Sequence, residues 1–534
     1  MKKGIALILI AAAVGLALRL PKLDNRPMHT DEAVHAYKFG ELLQENAYKY
    51  DPVEYHGPTL NYFTLIPVWL AGVHHYRNLN EWMLRIVPVF FGVLTIIGLL
   101  LVTDALGPKA SFWAAVFTAL STAMVFYSRY YIQEMLLVCF TFGLIACGWR
   151  YCIKPRPVWA IAAGVCAGLM FATKETCVIA FACMAIALLA AVRLPGAPRI
   201  KPSNIKWPYV ACGVAAAVIT AVLFYSSFFA NPQGVIDAVR TYANYAGKAS
   251  DNQLHTHPWY FYLKTIAFTY YEGAPVWSEW IIVVLAAVGM WSAIARMPLK
   301  QANAGFVRFL AFYTVTMWVI YSAIPYKTPW SILSCLQALI LLAGVGAVEL
   351  VGAFRSVPAK TATIILVLVG AAHLGWQAYE AAYHYCTDTR NPYVYAQSLQ
   401  DVVQMADRVK EIARTHPDGN GMDIEVICPE DDYWPLPWYL RQLTRVAYSS
   451  RVDFDSAAGE VVLAMPAVEG DLAKKWYELT PVGKRQLYVS LFNQTMYLRP
   501  RVELRGYVRN SVYEQWLRAQ QTQMHKNEAG NGGN

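Results

Sequence analysis

The chain has 534 residues, 56% of them hydrophobic and only 15% charged, with 17 Trp and 34 Tyr. That balance excludes an ordinary soluble enzyme of this length and indicates an integral membrane protein. A formal net charge of +9 would suit nucleic acid, but the basic residues fall between apolar spans rather than in one patch, so no nucleic-acid partner is expected.

The first twenty residues, two lysines followed by an apolar run, read as an uncleaved first span, because Arg19, Pro21, Lys22 and Asp24 follow with no small-residue cleavage site. Further runs of spanning length fall near 82–103, 110–127, 132–150, 157–172, 175–192, 207–229, 275–295, 306–324, 328–351 and 361–382, making about eleven. With the N-terminus in the cytoplasm, fifteen Lys and Arg lie in the loops of that side, and the short loops opposite carry only Arg129, Lys174 and Lys327. The asymmetry puts the loop after the first span, the long loop 231–274 and everything past Arg390 outside. Of ten cysteines, none forms a CxxC pair, which argues against a zinc ribbon; Cys386 and Cys428 stand in the polar C-terminal part, where two residues do not establish a disulfide.

The first outer loop holds two helical pieces, about 31–45 and 58–74, the second broken by Pro67 and suited to the membrane interface. Past Asp388, strand-like runs (424–428, 461–465, 487–492) alternate with helical stretches (393–413, 471–479) and predict a small α/β domain. The expected organisation is an α-helical polytopic membrane domain over 1–385, a soluble extracytoplasmic α/β domain over 386–525 and a disordered tail over 526–534.

Candidate chemistry gathers on the outer face. Met28 to His35, MHTDEAVH, sets Asp31 and Glu32 three or four residues from His35, so that on a helix the imidazole can lie over either carboxylate. The letters also suit a helix start capped by Thr30 or Asp31. Farther on, Glu54, Tyr55 and His56 precede the rigid pair Gly57-Pro58. Glu134 opens a span, where a carboxylate is costly and a functional candidate by default, with Arg129 five residues before it as a partner. The three outer cations Arg129, Lys174 and Lys327 suit either lipid snorkelling or convergence on one bound phosphate. His255 and His257 flank one residue and with a distant carboxylate could ligate a divalent metal.

Together the acid pair after the first span, the E-Y-H-G-P-T-L turn, the S-R-Y-Y-x-x-E junction, the H-P-W-Y-F-Y-L segment and the K-T-P-W turn resemble the GT-C superfamily of polyprenyl-phosphate-sugar-dependent glycosyltransferases. The likeness is greatest to the protein O-mannosyltransferase and aminoarabinose transferase branch, with wording similar to a subgroup described as flippase-activity-associated. It covers about residues 1–385. The resemblance implies inverting transfer from a polyprenyl-phosphate-linked sugar to a protein, lipid or glycan acceptor. It gives Asp31 the role of general base with Glu32 beside it, Glu54 that of a metal ligand with His255 or His257, and Glu134 a second acidic position. His35, Tyr55, His56, Arg129, Lys174 and Lys327 would line the substrates. The rival expectation is a transporter or lipid flippase component, which would carry its charges near the bilayer midplane and in repeats; here they cluster at outer junctions, and no repeat is visible.

Overall fold

In the computed structural model, which describes residues 2–53, 56–193, 205–248, 255–295 and 298–531, every apolar run expected to span is helical. Six of the described helices are long and apolar enough to cross a bilayer: Glu81–Leu106, Glu134–Ile153, Trp207–Tyr225, Ala304–Ala323, Pro329–Ala353 and Val357–His384. Pro157–Phe171, Cys177–Arg193 and Trp280–Ile294 are apolar but shorter, and Lys2–Arg19 is apolar between charged ends. The protein is a multi-pass membrane protein. One expected span is not continuous: the run 110–127 divides at Ser121 (φ −54°, ψ 127°) into Pro108–Leu120 and Thr122–Tyr127, because the Ser121 side chain caps the second helix by accepting from Met124 N.

The described residues form two compact units. The first contains Met1–Asp24, Glu41–Val73 and Asn80–Tyr395. Its helices differ sharply in burial. Pro329–Ala353 has 83% of its most apolar stretch inside the unit, whereas Trp207–Tyr225 has 11% and turns its apolar side chains outward, as a helix facing lipid does. That outer helix is attached through small residues. A Cβ on Gly164 would lie 1.9 Å from Gly213 O, and one on Gly168 would lie 2.5 Å from Ala217 O, so here the two backbones touch. The interfacial piece is the helix Thr59–Leu70, with Pro67 inside it.

The second unit contains Asn25–Gly40, His74–Leu79 and Ala396–Asn534. Its mixed sheet is ordered β2-β1-β3-β6-β4, from β1 (Ile424–Ile427), β2 (Val446–Ser449), β3 (Val461–Ala464), β4 (Tyr488–Ser490), β5 (Met496–Arg499) and β6 (Val502–Arg509). β1 pairs in parallel with β2 and β3; β6 runs antiparallel to β3, β4 and β5. The helix Asp401–Thr415 buries Val402, Met405, Ala406, Val409, Ile412 and Ala413 at the three- and four-residue spacing of an amphipathic helix. Trp476 stacks on Tyr488 at 4.1 Å within the core.

Three local expectations change. The helix foreseen over 393–413 begins only at Asp401, because Ala396 adopts a left-handed backbone (φ 47°) that a helix cannot contain. The sheet also has β2, β5 and β6 besides the three expected runs. The helix Asn510–Asn531 runs through most of the stretch expected as a tail. Cys386 and Cys428 are both free thiols.

Candidate active site

The MHTDEAVH stretch opens the helix Thr30–Glu45, and its two acids have different surroundings. His29, rather than Thr30 or Asp31, is the cap: its carbonyl accepts from Ala33 N at 3.0 Å, and its Nδ1 accepts from Asp31 N at 3.0 Å. Glu32 answers as the third helical residue of a capping box, accepting from His29 N at 2.9 Å through Oε2, while Oε1 accepts from Arg26 Nη2 at 2.9 Å. Its side chain is 0% exposed. Asp31, one residue earlier, keeps 45% of its side chain exposed, with His29 Nδ1 3.8 Å from its carboxylate. His35 is buried one turn further on. The sequence pattern therefore yields one structural acid and one accessible acid.

In the first unit a second group of ionisable side chains lies at the helix junctions. Lys174, between Pro157–Phe171 and Cys177–Arg193, forms a close ion pair with Glu134 at the start of Glu134–Ile153; both side chains are nearly buried. Burial pulls the ammonium towards neutrality, but the Glu134 carboxylate outweighs it and holds the Lys174 pKa above its ordinary value. A water-sized cavity of about 10 Å³ lies against Glu134, Lys174, Thr176, Trp330, Ser331 and Ser334. Next to Lys174, Glu175 accepts from Tyr50 OH at 2.9 Å and stands 2.7 Å from His56 Nδ1. Burial works to raise its pKa, but the charge and hydrogen bond of His56, with the Tyr50 hydrogen bond, hold the carboxyl below the usual range.

The expected partnership of Arg129 with Glu134 is not formed. Arg129 Nη1 donates to Arg19 O at 2.6 Å and Pro21 O at 2.7 Å, Nη2 donates to Lys22 O at 2.9 Å, and the guanidinium lies over the Tyr383 ring. The segments HTH and YKT, far apart in sequence, are joined: Lys327 N donates to His255 O at 3.0 Å and His257 N to Pro325 O at 3.1 Å. Lys327 Nζ donates to His257 O at 3.1 Å, and burial lowers its pKa. Both imidazoles meet Tyr395 OH, His255 through Nδ1 and His257 through Nε2 at 3.4 Å. Burial, then His255 and Lys327, lower the His257 pKa.

Glu54 and Tyr55 lie outside the described residues. Among the described residues no group of three or more His, Cys, Asp or Glu could hold a metal ion.

One buried acid was passed over in the sequence, although it stands inside the expected span 275–295, where a carboxylate is as costly as Glu134. Glu279, 0% exposed, accepts from Ser121 Oγ at 2.5 Å, Ala123 N at 2.9 Å and Tyr393 OH at 2.7 Å. It ties three distant segments together at the break between Pro108–Leu120 and Thr122–Tyr127.

Residues 58–225 match the family model described as dolichyl-phosphate-mannose-protein mannosyltransferase. No curated protein matches the chain significantly. Among solved structures, ArnT from Cupriavidus metallidurans in the apo state superposes with a TM-score of 0.59 at 14% identity, over 94% of this chain and 97% of that one. ArnT bound to undecaprenyl phosphate gives 0.57 at 15%, with the same coverage. At such identity the likeness is one of fold: over nearly its whole length the chain has the fold of ArnT.

Proposed function

We propose that the protein transfers a glycosyl group from a polyprenyl-phosphate donor to an acceptor hydroxyl on the extracytoplasmic face, with inversion and with Asp31 as general base. The observation that carries this reading is the division of labour in the acid pair. Glu32 is committed to its helix cap and to Arg26, while Asp31 stays accessible to a substrate. The shared fold with a protein solved bound to undecaprenyl phosphate and the mannosyltransferase match support the lipid-linked donor.

In the reaction the acceptor oxygen forms a bond to the anomeric carbon as the bond from that carbon to the phosphate oxygen breaks. The lipid phosphate leaves with the electron pair, and the hydroxyl proton passes to the Asp31 carboxylate. A phosphate is already a good leaving group, so positioning and charge neutralisation carry the rest. Lys174, held charged by Glu134, is the cation assigned to the phosphate. The outer location follows from the charge asymmetry of the loops.

Asp31→Asn tests the base directly. Turnover of a polyprenyl-phosphate sugar by the purified chain should fall about 10²–10⁴-fold with little change in donor KM. Turnover at the wild-type rate would remove Asp31 from the chemistry.

A further inference from the structure

We propose that Arg499, in the C-terminal domain, is a positioning residue for Asp31, clamping the strap that presents the acid. The proposal rests on the reading of Asp31 as the base.

The strap is held almost residue by residue. Arg26 Nη1 donates to Gln397 Oε1 at 2.9 Å, and Gln397 Nε2 donates to Pro27 O at 2.9 Å. Met28 N donates to Tyr439 OH at 2.8 Å. Arg499 Nη1 donates to Thr30 Oγ1 at 2.8 Å, on the residue directly before Asp31. The other arm of the same guanidinium, Nη2, pairs closely with Asp432. A planar fork gripping two oxygens at once fixes direction as well as distance.

The clamp has a firm base. Arg499 ends β5, which is paired to β6 through Arg499 and Val502, and the left-handed Arg501 (φ 73°) makes the turn between the strands. Asp432 directly precedes the aromatic segment Tyr433-Trp434-Pro435-Leu436-Pro437-Trp438-Tyr439, which supplies two more holds: Tyr439 OH on Met28, and the Trp434 ring edge-on to Tyr37 at 6.0 Å. An otherwise unexplained stretch of the soluble domain thereby acquires a purpose. It supports the first turn of the helix that carries the acid, while the acid itself stays half open to a ligand.

A misplaced base of otherwise correct chemistry loses rate rather than binding, with about 10²-fold at stake for a shift on the order of 1 Å. In the purified full chain, Arg499→Gln is expected to lower kcat about 10- to 100-fold at donor KM within about twofold of wild type, with faster amide exchange across residues 26–36. Arg499→Lys should restore only part of the rate, since an ammonium cannot span Thr30 and Asp432 together. Thr30→Ala alone should lower kcat, and added to Arg499→Gln it should cost little more, because both remove the same hydrogen bond.

Wild-type kcat and unchanged exchange in Arg499→Gln overturn the proposal, as do independent, multiplying effects of the two substitutions. If Arg499→Gln does not fold, Thr30→Ala carries the same test, its loss of a single hydroxyl leaving the domain core intact. The exchange measurement separates the two readings. Faster exchange in Arg499→Gln together with normal transfer by Asp31→Asn sinks the base and leaves the clamp standing, whereas slow transfer by Asp31→Asn with unchanged exchange in Arg499→Gln sinks the clamp alone.

Discussion

Lys174 and Glu134 show what a charge pair at a membrane junction demands. Each ion gives up water on burial, and only the partner compensates. Lys174→Met would leave Glu134 buried without its cation and is expected to cost about 3–5 kcal/mol of stability, seen as a large drop in the detergent melting temperature. Lys174→Met with Glu134→Leu should regain most of that stability and still fail to turn over the donor. Normal turnover by the double variant would show that Lys174 has no part in holding the phosphate. The residue types at this site were legible in the sequence, because a carboxylate or lone cation beside a span is conspicuous. Their pairings were not. Glu134 chose Lys174, forty residues away, over Arg129, five away, and Arg129 turned to the carbonyls of Arg19, Pro21 and Lys22. Glu279 was visible as an acid inside the expected span 275–295, but its pairing was not, since its partners Ser121 and Tyr393 stand 158 and 114 residues from it.

Among the helices, lipid removes the hydrophobic drive for association, so close backbone approach has to supply it. The seam between Pro157–Phe171 and Trp207–Tyr225 has Gly164 and Gly168 on one side and Gly213 on the other. Gly164→Leu should force the helices apart and destabilise the protein by about 1–3 kcal/mol, measurable as earlier thermal unfolding, with Gly164→Ala intermediate. An unchanged melting temperature for the leucine variant would mean that the seam is not packed as described. Long apolar runs announced the spanning helices of this unit because length and composition suffice for a span, whereas Gln233–Lys248, inside the long loop 231–274, gave no such run. The sheet was harder to read. β3 is apolar throughout and β1 apolar except for Glu425, so both are visible, whereas β6, VELRGYVR, alternates buried with exposed or half-buried positions from Leu504 onward, a period-two signal that a search for apolar runs passes over. β2 is short and half exposed and offers no such pattern.

For the molecule as a whole, the loop charges predict which parts meet the cytoplasm. A thiol introduced by Ser456→Cys, at an exposed position of the C-terminal domain, should react with a membrane-impermeant maleimide in intact cells. One introduced by Arg355→Cys, exposed beside the last span, should react only after permeabilisation, with peptide mapping to identify the labelled site. The reverse pattern would invert the topology and, with it, the assignment of the acids to the outer face. Fold class and the presence of an α/β domain could be read from hydropathy alone; that residues 25–40 belong with 396–534 could not, because a long chain of spans separates them and no local pattern records the pairing. That pairing has a consequence for biogenesis. The Asp31 strap leaves the ribosome long before the residues that hold it, and it stays unsupported while the spans between are inserted. A chain interrupted after Tyr395 would carry the helices of the membrane unit together with Asp31, Glu134 and Glu175, yet present Asp31 on a strap without Gln397, Tyr439 or Arg499. If Asp31 is the base proposed above, completion of synthesis becomes a condition for catalysis, and a half-made chain would leave the lipid-linked donor untouched.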